Sequence, residues 1–133
     1  MDTVSLVLVS HSRQLGDGTR ELASQMTQGR VKIAVAAGTA DGRLGTDATA
    51  ILAAIQEVRG PAGVLVLVDL GSAVLSTQMA IEQLPDGVGR VLVSNAPFVE
   101  GAVIAGVEAS IDSDLDAVAA AALGARTMDK VTS

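Results

Sequence analysis

The sequence predicts a doubly wound α/β domain, in which a mainly parallel sheet carries helices on both faces. Four short runs rich in β-branched residues are apolar almost throughout, which is typical of strands covered on both sides. Segments of helical periodicity separate these runs, and this alternation of strand and helix indicates one parallel sheet. The length of 133 residues is that of a single domain with a sizeable core.

The apolar runs predict the strands, and the segments between them predict helices. The strands are expected at Val4–Val9, Val31–Ala36, Val64–Val68 and Val91–Ser94. Apolar residues at helical spacing mark one face of each of the first three helices: Leu15, Leu22 and Met26; Ile51, Leu52, Ile55 and Val58; and Val74, Leu75, Met79 and Ile81. The turn Pro85-Asp86-Gly87 is expected to end the third helix.

Two more helices are expected after the fourth strand, at Glu100–Ala109 and Leu115–Leu123. Asp114 precedes the second of them and is suited to be its N-cap. There is no internal repeat and no linker, so residues 1–126 are predicted to form the domain. The tail 127–133 lacks periodicity, and we expect it to fray.

Composition excludes several classes of function. A net charge of −6 and a pI near 4.5 argue against binding to nucleic acid or to anionic lipid. Cysteine is absent, which removes disulfides and thiolate catalysis, and Phe98 is the single aromatic residue available for stacking. No apolar run reaches membrane-spanning length, and the start of the chain lacks a signal-peptide pattern. We therefore expect a cytoplasmic protein without membrane insertion.

The predicted topology indicates where a site would lie. A strand order of 2-1-3-4 makes the first and third strands neighbours, and ligands bind at the carboxyl ends of such strands. The first strand delivers Ser10-His11-Ser12 to this edge, and the third delivers Asp69-Leu70-Gly71-Ser72. The second strand adds the loop Gly38–Gly45, and the fourth adds Asn95-Ala96-Pro97. The one histidine of the chain and an aspartate are thus expected to converge.

His11 is the leading candidate for chemistry at this edge. A lone histidine is often a surface residue without a role, but an S-H-S triplet directly after an apolar strand places the imidazole at the site. Imidazole titrates near neutrality and can act as a base, a ligand or a nucleophile. Because the chain has no second His and no Cys, we expect no transition-metal site.

Asp69 and the residues after it complete a possible phosphate site. Asp69 could merely cap the next helix, or it could hold one ring nitrogen of His11 as N–H and leave the other free to attack. Gly71 and Ser72 open the third helix, whose N–H groups and dipole favour a phosphoryl group. This combination favours a histidine that carries phosphate.

Thr46 and Asp47 begin the second helix, and at least one of them is expected to be a plain N-cap. Thr46 could also reach a bound anion. No Walker or dinucleotide-binding glycine motif is present, so direct nucleotide binding is not supported. No G-x-S-x-G element is present either, which weakens a hydrolase interpretation.

Four segments resemble the mannose-type IIA family of the phosphoenolpyruvate:sugar phosphotransferase system, and within it the phosphotransferase subunits of dihydroxyacetone kinases. They are VSLVLVSHSRQLGDG (Val4–Gly18), AAGTADGRLGTDA (Ala36–Ala48), VLVLVDLGSAVLS (Val64–Ser76) and NAPFVEGAVIAGV (Asn95–Val107). A lone S-H-S is weak, but LGTDA, VDLGSA and the AP-x-VEGA pattern together are specific. The segments span most of the chain in the expected order.

The resemblance implies a phosphotransferase whose phosphorylated residue is His11, oriented by Asp69, in a homodimer. The phosphoryl group would come from phosphoenolpyruvate through enzyme I and the histidine-containing carrier protein HPr. It would pass to ADP held in a separate ADP-binding subunit, which phosphorylates dihydroxyacetone. This chain would bind no cofactor of its own. Stabilisation of the phosphoryl group would fall to Gly71, Ser72 and Thr46.

Three alternatives remain open from the sequence. The same relay could serve a mannose-family sugar permease, with a IIB domain as acceptor. A receiver-like module phosphorylated on Asp69 would need an acidic pair after the first strand, where this chain has Ser-His-Ser. A non-catalytic ligand-sensing domain would use the same crevice and would tolerate loss of His11.

Overall fold

A four-stranded parallel sheet forms the centre of this computed structural model, which describes residues 2–87 and 89–131. The strands are β1 (Ser5–Ser10), β2 (Ile33–Ala37), β3 (Val64–Val68) and β4 (Val91–Val93). Their spatial order is β2-β1-β3-β4, and every neighbouring pair is parallel. The predicted doubly wound sheet and its 2-1-3-4 order are therefore confirmed.

Five α-helices connect and follow the strands. They are α1 (Arg13–Thr27), α2 (Ala48–Val58), α3 (Ala73–Glu82), α4 (Phe98–Ser110) and α5 (Leu115–Leu123). The bounds of α5 agree with the prediction, and the Asp114 carboxylate accepts a hydrogen bond from the Ala117 N–H at 2.9 Å as its N-cap. Helix α4 begins two residues earlier than expected. Directly before it stands Pro97, whose fixed φ suits a helix entrance.

The helices cover both faces of the sheet, and strand side chains alternate between two cores. Helices α4 and α5, with α1 packed against α4, cover one face, and α2 and α3 cover the other. On β1, Leu6 and Leu8 point to the α4 side, whereas Val7 and Val9 point to the α2 side. Strand β3 repeats this arrangement of leucines and valines. Successive side chains of a strand point to opposite faces of the sheet, so a continuous apolar run supplies residues to both cores.

The apolar residues of α1 do not form its buried face. Leu15, Leu22 and Met26 are exposed, and the buried residues of the helix are Gly16, Thr19, Ala23 and Thr27. Small residues face the sheet because α1 lies close to β2: a Cβ atom on Gly16 would stand 2.7 Å from Val35 Cγ1. On α3, Leu75 and Met79 are likewise exposed, whereas Ile51, Ile55 and Val58 of α2 are buried as their spacing indicated.

The C-terminal residues continue beyond α5 in a short 3-10 helix, Gly124–Thr127. Farther along, the Lys130 ammonium pairs with the Glu100 carboxylate of α4. Residues 132 and 133 of the tail lie outside the described residues, and the fraying of the tail stays a prediction. Within the described parts of the chain, no helix is both long and apolar enough to cross a membrane.

The close approach of α1 to the sheet can be tested with two glycines of the same helix. We expect Gly16→Ala to lower the free energy of unfolding by about 1–3 kcal/mol, because its Cβ overlaps Val35. Gly18→Ala is the matched control, since a Cβ there meets no atom within 4 Å. It should leave stability unchanged or raise it by up to about 1 kcal/mol through helix propensity. Urea unfolding measures both, and equal effects would contradict the packing described.

Candidate functional site at the carboxyl edge of the sheet

The pairing of β1 with β3 brings the histidine and the aspartate together. Val9 of β1 lies opposite Val68 of β3, and the Asp69 N–H continues the ladder by donating to the Val9 carbonyl at 3.1 Å. Asp69 therefore stands beside the end of β1, where His11 leaves the sheet. The convergence expected from the strand order is present in the structure.

The Asp69 carboxylate holds His11 through both the ring and the backbone. Asp69 Oδ1 lies 2.9 Å from His11 Nδ1, and Asp69 Oδ2 accepts the His11 backbone N–H at 2.8 Å. The Asp69 side chain is 7% exposed, whereas the His11 side chain is 25% exposed. The carboxylate is thus shielded beneath an imidazole that reaches solvent.

These contacts define which ring nitrogen of His11 is available. An ionised carboxylate only accepts hydrogen bonds, so the proton of the neutral ring resides on Nδ1. Nε2 then carries the lone pair, and the Ser72 hydroxyl lies 3.0 Å from it. The geometry presents Nε2 as the nucleophilic atom and places Ser72 beside it.

The charge of Asp69 is stabilised despite its burial. Burial by itself raises the pKa of Asp69, but hydrogen bonds from the His11 backbone N–H, the His11 ring and the Ser10 hydroxyl outweigh it. The net pKa of Asp69 lies below its ordinary value. Oδ1 also accepts the Leu70 N–H at 2.8 Å, so each carboxylate oxygen has two donors.

The N-terminus of α3 faces the imidazole. Ser72 is the N-cap residue, but its hydroxyl makes no capping hydrogen bond and points instead to His11. The N–H groups of Ala73 and Val74 donate to nearby carbonyls. Those of Gly71 and Ser72 have no acceptor among the described residues. Two backbone donors and one hydroxyl at a helix N-terminus can bind the oxygens of a phosphoryl group.

The loop between β2 and α2 is attached to the histidine backbone. The Gly45 N–H donates to the His11 carbonyl at 2.9 Å, and Gly45 has φ 146°, a conformation that favours glycine. Asp47 is the N-cap of α2 and accepts the Thr49 N–H at 2.9 Å. Of the two residues considered for capping, Asp47 therefore takes that part. The Thr46 hydroxyl is 2.9 Å from the Ser76 hydroxyl, which joins it to α3, and no hydrogen bond between Thr46 and His11 is present among the described residues.

Two further residues support the site in ways that sequence reasoning missed. Ser10 is fully buried, and its hydroxyl lies 3.1 Å from Asp69 Oδ2. Arg13 donates from Nη2 to the Ala37 carbonyl at 3.0 Å, and so joins α1 to the end of β2. The polar side chain of Ser10 directly after the apolar run Leu6–Val9 was a usable signal. The Arg13 side chain gave no signal in the sequence, because its partner is a backbone carbonyl.

The surface around the imidazole is open and partly apolar. Three leucines in the segments that form the site are exposed. Leu44 precedes Gly45, Leu70 follows Asp69 and Leu75 lies in α3, and their exposed fractions are 78%, 60% and 67%. The adjoining cavity of about 200 Å³ is lined by Asp69, Gly71 and Asn95 among others. A cavity of about 510 Å³ lies at Arg59, Pro85 and Arg90, beside the start of β4 and so at the opposite edge of the parallel sheet from His11. The site is therefore an accessible surface and not an enclosed pocket.

The fold and this site define a class: an α/β domain with one oriented, partly exposed histidine at the carboxyl edge of its sheet. The chain belongs to the EIIA-man family, described as "PTS system fructose IIA component", which matches residues 5–119. The resemblance seen in the sequence is thereby confirmed. The site residues lie within the matched segment.

Relatives and a solved structure agree with this membership. The chain is 45% identical over 119 residues to the "PEP-dependent dihydroxyacetone kinase, phosphoryl donor subunit DhaM" of Escherichia coli, covering 86% of this chain and 25% of that protein. It is 35% identical over 116 residues to the "PEP-dependent dihydroxyacetone kinase 2, phosphoryl donor subunit DhaM" of Listeria innocua. That match covers 86% of this chain and 93% of the Listeria protein. The chain thus spans about a quarter of the first of these relatives. The crystal structure of the "unknown function protein EF1359" superposes with a TM-score of 0.79 at 32% identity, covering 98% and 100%.

The buried Asp69 carboxylate is expected to make the free energy of unfolding depend on pH. Its pKa in the folded state lies below that in the unfolded chain, so its stabilisation is present above the unfolded value, about 3.9, and is lost as pH falls through the folded value. Asp69→Asn should therefore lower the free energy of unfolding by about 1–3 kcal/mol at pH 7. The difference from the wild type should narrow below about pH 4. Urea unfolding from pH 7 to pH 3 measures it, and a difference independent of pH would contradict an ionised, stabilising Asp69.

Proposed function

We propose that this chain is a phosphohistidine carrier of a phosphoenolpyruvate-dependent dihydroxyacetone kinase. It accepts a phosphoryl group from phospho-HPr on Nε2 of His11 and passes it to ADP in the ADP-binding subunit. The observation that carries the proposal is the pair of hydrogen bonds that joins the His11 ring to Asp69 and to Ser72. They orient Nε2 toward solvent at a helix N-terminus. The names of the E. coli and L. innocua relatives, phosphoryl donor subunits of such kinases, support the choice of kinase.

Phosphoryl transfer to His11 follows from the tautomer. The Nε2 lone pair attacks the phosphorus atom of phospho-HPr, and the bond from phosphorus to the HPr histidine breaks with its electron pair returning to that ring. His11 keeps its proton on Nδ1, so the phosphorylated ring is cationic. The Asp69 carboxylate, 2.9 Å from Nδ1, offsets this charge throughout the step.

The phosphoryl oxygens need donors that do not hold them too tightly, because the group must leave again. The Ser72 hydroxyl is hydrogen-bonded to Nε2 in the unphosphorylated protein. When Nε2 forms its bond to phosphorus, this hydroxyl turns and donates to a phosphoryl oxygen instead. The N–H groups of Gly71 and Ser72 supply two further donors. Thr46 supplies a second hydroxyl if it exchanges its hydrogen bond to Ser76 for one to the phosphoryl group.

The onward step reverses the first with a different acceptor. A terminal oxygen of ADP attacks phosphorus, the bond to Nε2 breaks, and the electron pair returns to the neutral imidazole. The nucleotide stays on the partner subunit, so this chain binds no cofactor and no metal of its own. We propose that the carrier works in the cytoplasm as a homodimer, and that its phosphate originates from phosphoenolpyruvate through enzyme I and HPr.

Removal of the nucleophile tests the proposal directly. After incubation with phosphoenolpyruvate, enzyme I and HPr, the wild type should carry one acid-labile phosphoryl group on Nε2 of His11, and His11→Ala should carry none. Phosphopeptide mapping and ³¹P NMR of the histidine adduct measure this. Ser12→Ala, which removes only a hydroxyl that caps α1, is a control that should still be labelled.

Label that persists on His11→Ala would contradict the proposal. The acceptor is tested separately by mixing the phosphorylated chain with ADP and the ADP-binding subunit, or with a IIB domain of a mannose-family permease. The proposal requires that the label move to ADP in the first mixture. Transfer to the IIB domain alone would assign the chain to sugar transport.

The proposed partner must cover the surface beside the imidazole, because its own reacting atom has to come within about 3–3.5 Å of Nε2. Leu70 lies in that surface and is 60% exposed. We expect Leu70→Asp to slow phosphorylation by phospho-HPr at least about tenfold, since a charge would be desolvated in the contact. Ile111→Asp is the control, because Ile111 is 66% exposed at the far end of α4. Equal rates for both variants would contradict contact at Leu70.

A further inference from the structure

A buried hydroxyl connects the carboxylate to the start of α1. Ser10 has no exposed surface, and its Oγ lies 3.1 Å from Asp69 Oδ2 and 2.9 Å from the Ser12 carbonyl. The same oxygen accepts the Ser12 N–H at 3.1 Å. Ser10 therefore touches both residues that flank the imidazole, although it does not contact the ring.

The single proton of this hydroxyl has two possible acceptors. The Ser12 carbonyl already accepts the Gly16 N–H at 3.0 Å in the first turn of α1. Asp69 is ionised, and hydrogen bonds to charged acceptors are the stronger ones. The proton is therefore best placed on Asp69 Oδ2, where it joins the His11 backbone N–H as the second donor to that oxygen.

We propose that Ser10 is a positioning residue for phosphoryl transfer, which locks the Asp69 carboxylate so that Oδ1 stays directed at His11 Nδ1. Ser10 and the His11 N–H hold Oδ2, and the His11 ring and the Leu70 N–H hold Oδ1, so rotation of the carboxylate about its Cβ–Cγ bond breaks these four hydrogen bonds. Rotation would release Nδ1 and allow the proton to move to Nε2. The ring would then lose its lone pair at the reacting position.

The link to Ser12 fixes the other side of the imidazole. The Ser12 hydroxyl caps α1 by accepting a hydrogen bond from the Leu15 N–H at 3.2 Å. The backbone N–H of Ser12 donates to Ser10 Oγ. The backbone on both sides of His11 is thus tied to one buried oxygen. Loss of this oxygen removes one of the two donors to Oδ2 and the acceptor of the Ser12 N–H together. Loss of a comparable support behind a metal-bound histidine commonly changes activity about 10–100-fold.

The test compares Ser10→Ala with Ser5→Ala, the same substitution at the buried far end of β1. Two quantities are measured in each folded variant: the rate of phosphorylation by phospho-HPr, and the ¹⁵N shifts of the neutral form of the His11 ring. We expect Ser10→Ala to lower the rate about tenfold and to mix the two tautomers. Ser5→Ala should keep the rate and the single Nδ1–H tautomer of the wild type.

Ser10→Cys is a second variant in case the alanine variant does not fold, because the thiol fills the space but is a weak donor. It should mix the tautomers in the same way. A folded Ser10 variant with the tautomer of the wild type would overturn the proposal, whatever its rate. The inference rests on the proposed function, but the tautomer is read on the unphosphorylated chain. If the wild type accepted no phosphate, the carrier function would fail and the ¹⁵N shifts would still decide the role of Ser10.

Discussion

The site depends on the hydrogen bond between Asp69 Oδ1 and His11 Nδ1. It decides where the proton of the imidazole resides, and hence which nitrogen carries the lone pair that faces solvent. The bond has this effect only because the carboxylate is ionised and fixed, with two donors on each oxygen. A freely rotating or protonated carboxyl group at the same position would leave the tautomer undetermined.

The sheet supplies the rigidity that this bond requires. Strand β1 lies between β2 and β3, and all six of its side chains are buried, so its end is held from both sides. Because β1 and β3 are parallel neighbours in register, His11 and Asp69 leave the sheet side by side, although 58 positions separate them in the chain. The loop after β2 adds the Gly45 N–H to the His11 carbonyl. The His11 side chain is therefore partly exposed while its backbone is fixed by three segments.

This combination of a rigid support and an open surface suits a carrier that has to meet a donor and an acceptor in turn. An enclosed pocket would admit a small molecule but would exclude the reacting group of a second protein. The donors near Nε2 are a hydroxyl and backbone N–H groups, and no arginine or lysine is hydrogen-bonded to the ring within the described residues. Such donors stabilise a phosphoryl group without competing strongly against the next acceptor.

The sequence by itself determined the alternation of strands and helices, because this follows from local periodicity. The convergence of His11 with Asp69 was predicted by assuming a 2-1-3-4 strand order, which the tertiary structure confirmed. Asp114 as the N-cap of α5 was equally accessible, because a cap is a local interaction. The resemblance of four segments to one family was also legible in the chain.

Tertiary structure alone decided which faces of the helices are buried and which groups complete the site. Leu15 and Leu75 are exposed because α1 and α3 approach the sheet through small residues, and the spacing between layers is a property of the packed whole. The contact of Ser10 with Asp69 depends on the distance between a hydroxyl and a carboxylate at the ends of two separate strands, which is 3.1 Å. Periodicity specifies the side of an element on which a residue lies. It does not specify the distance to a partner that is brought in by another element.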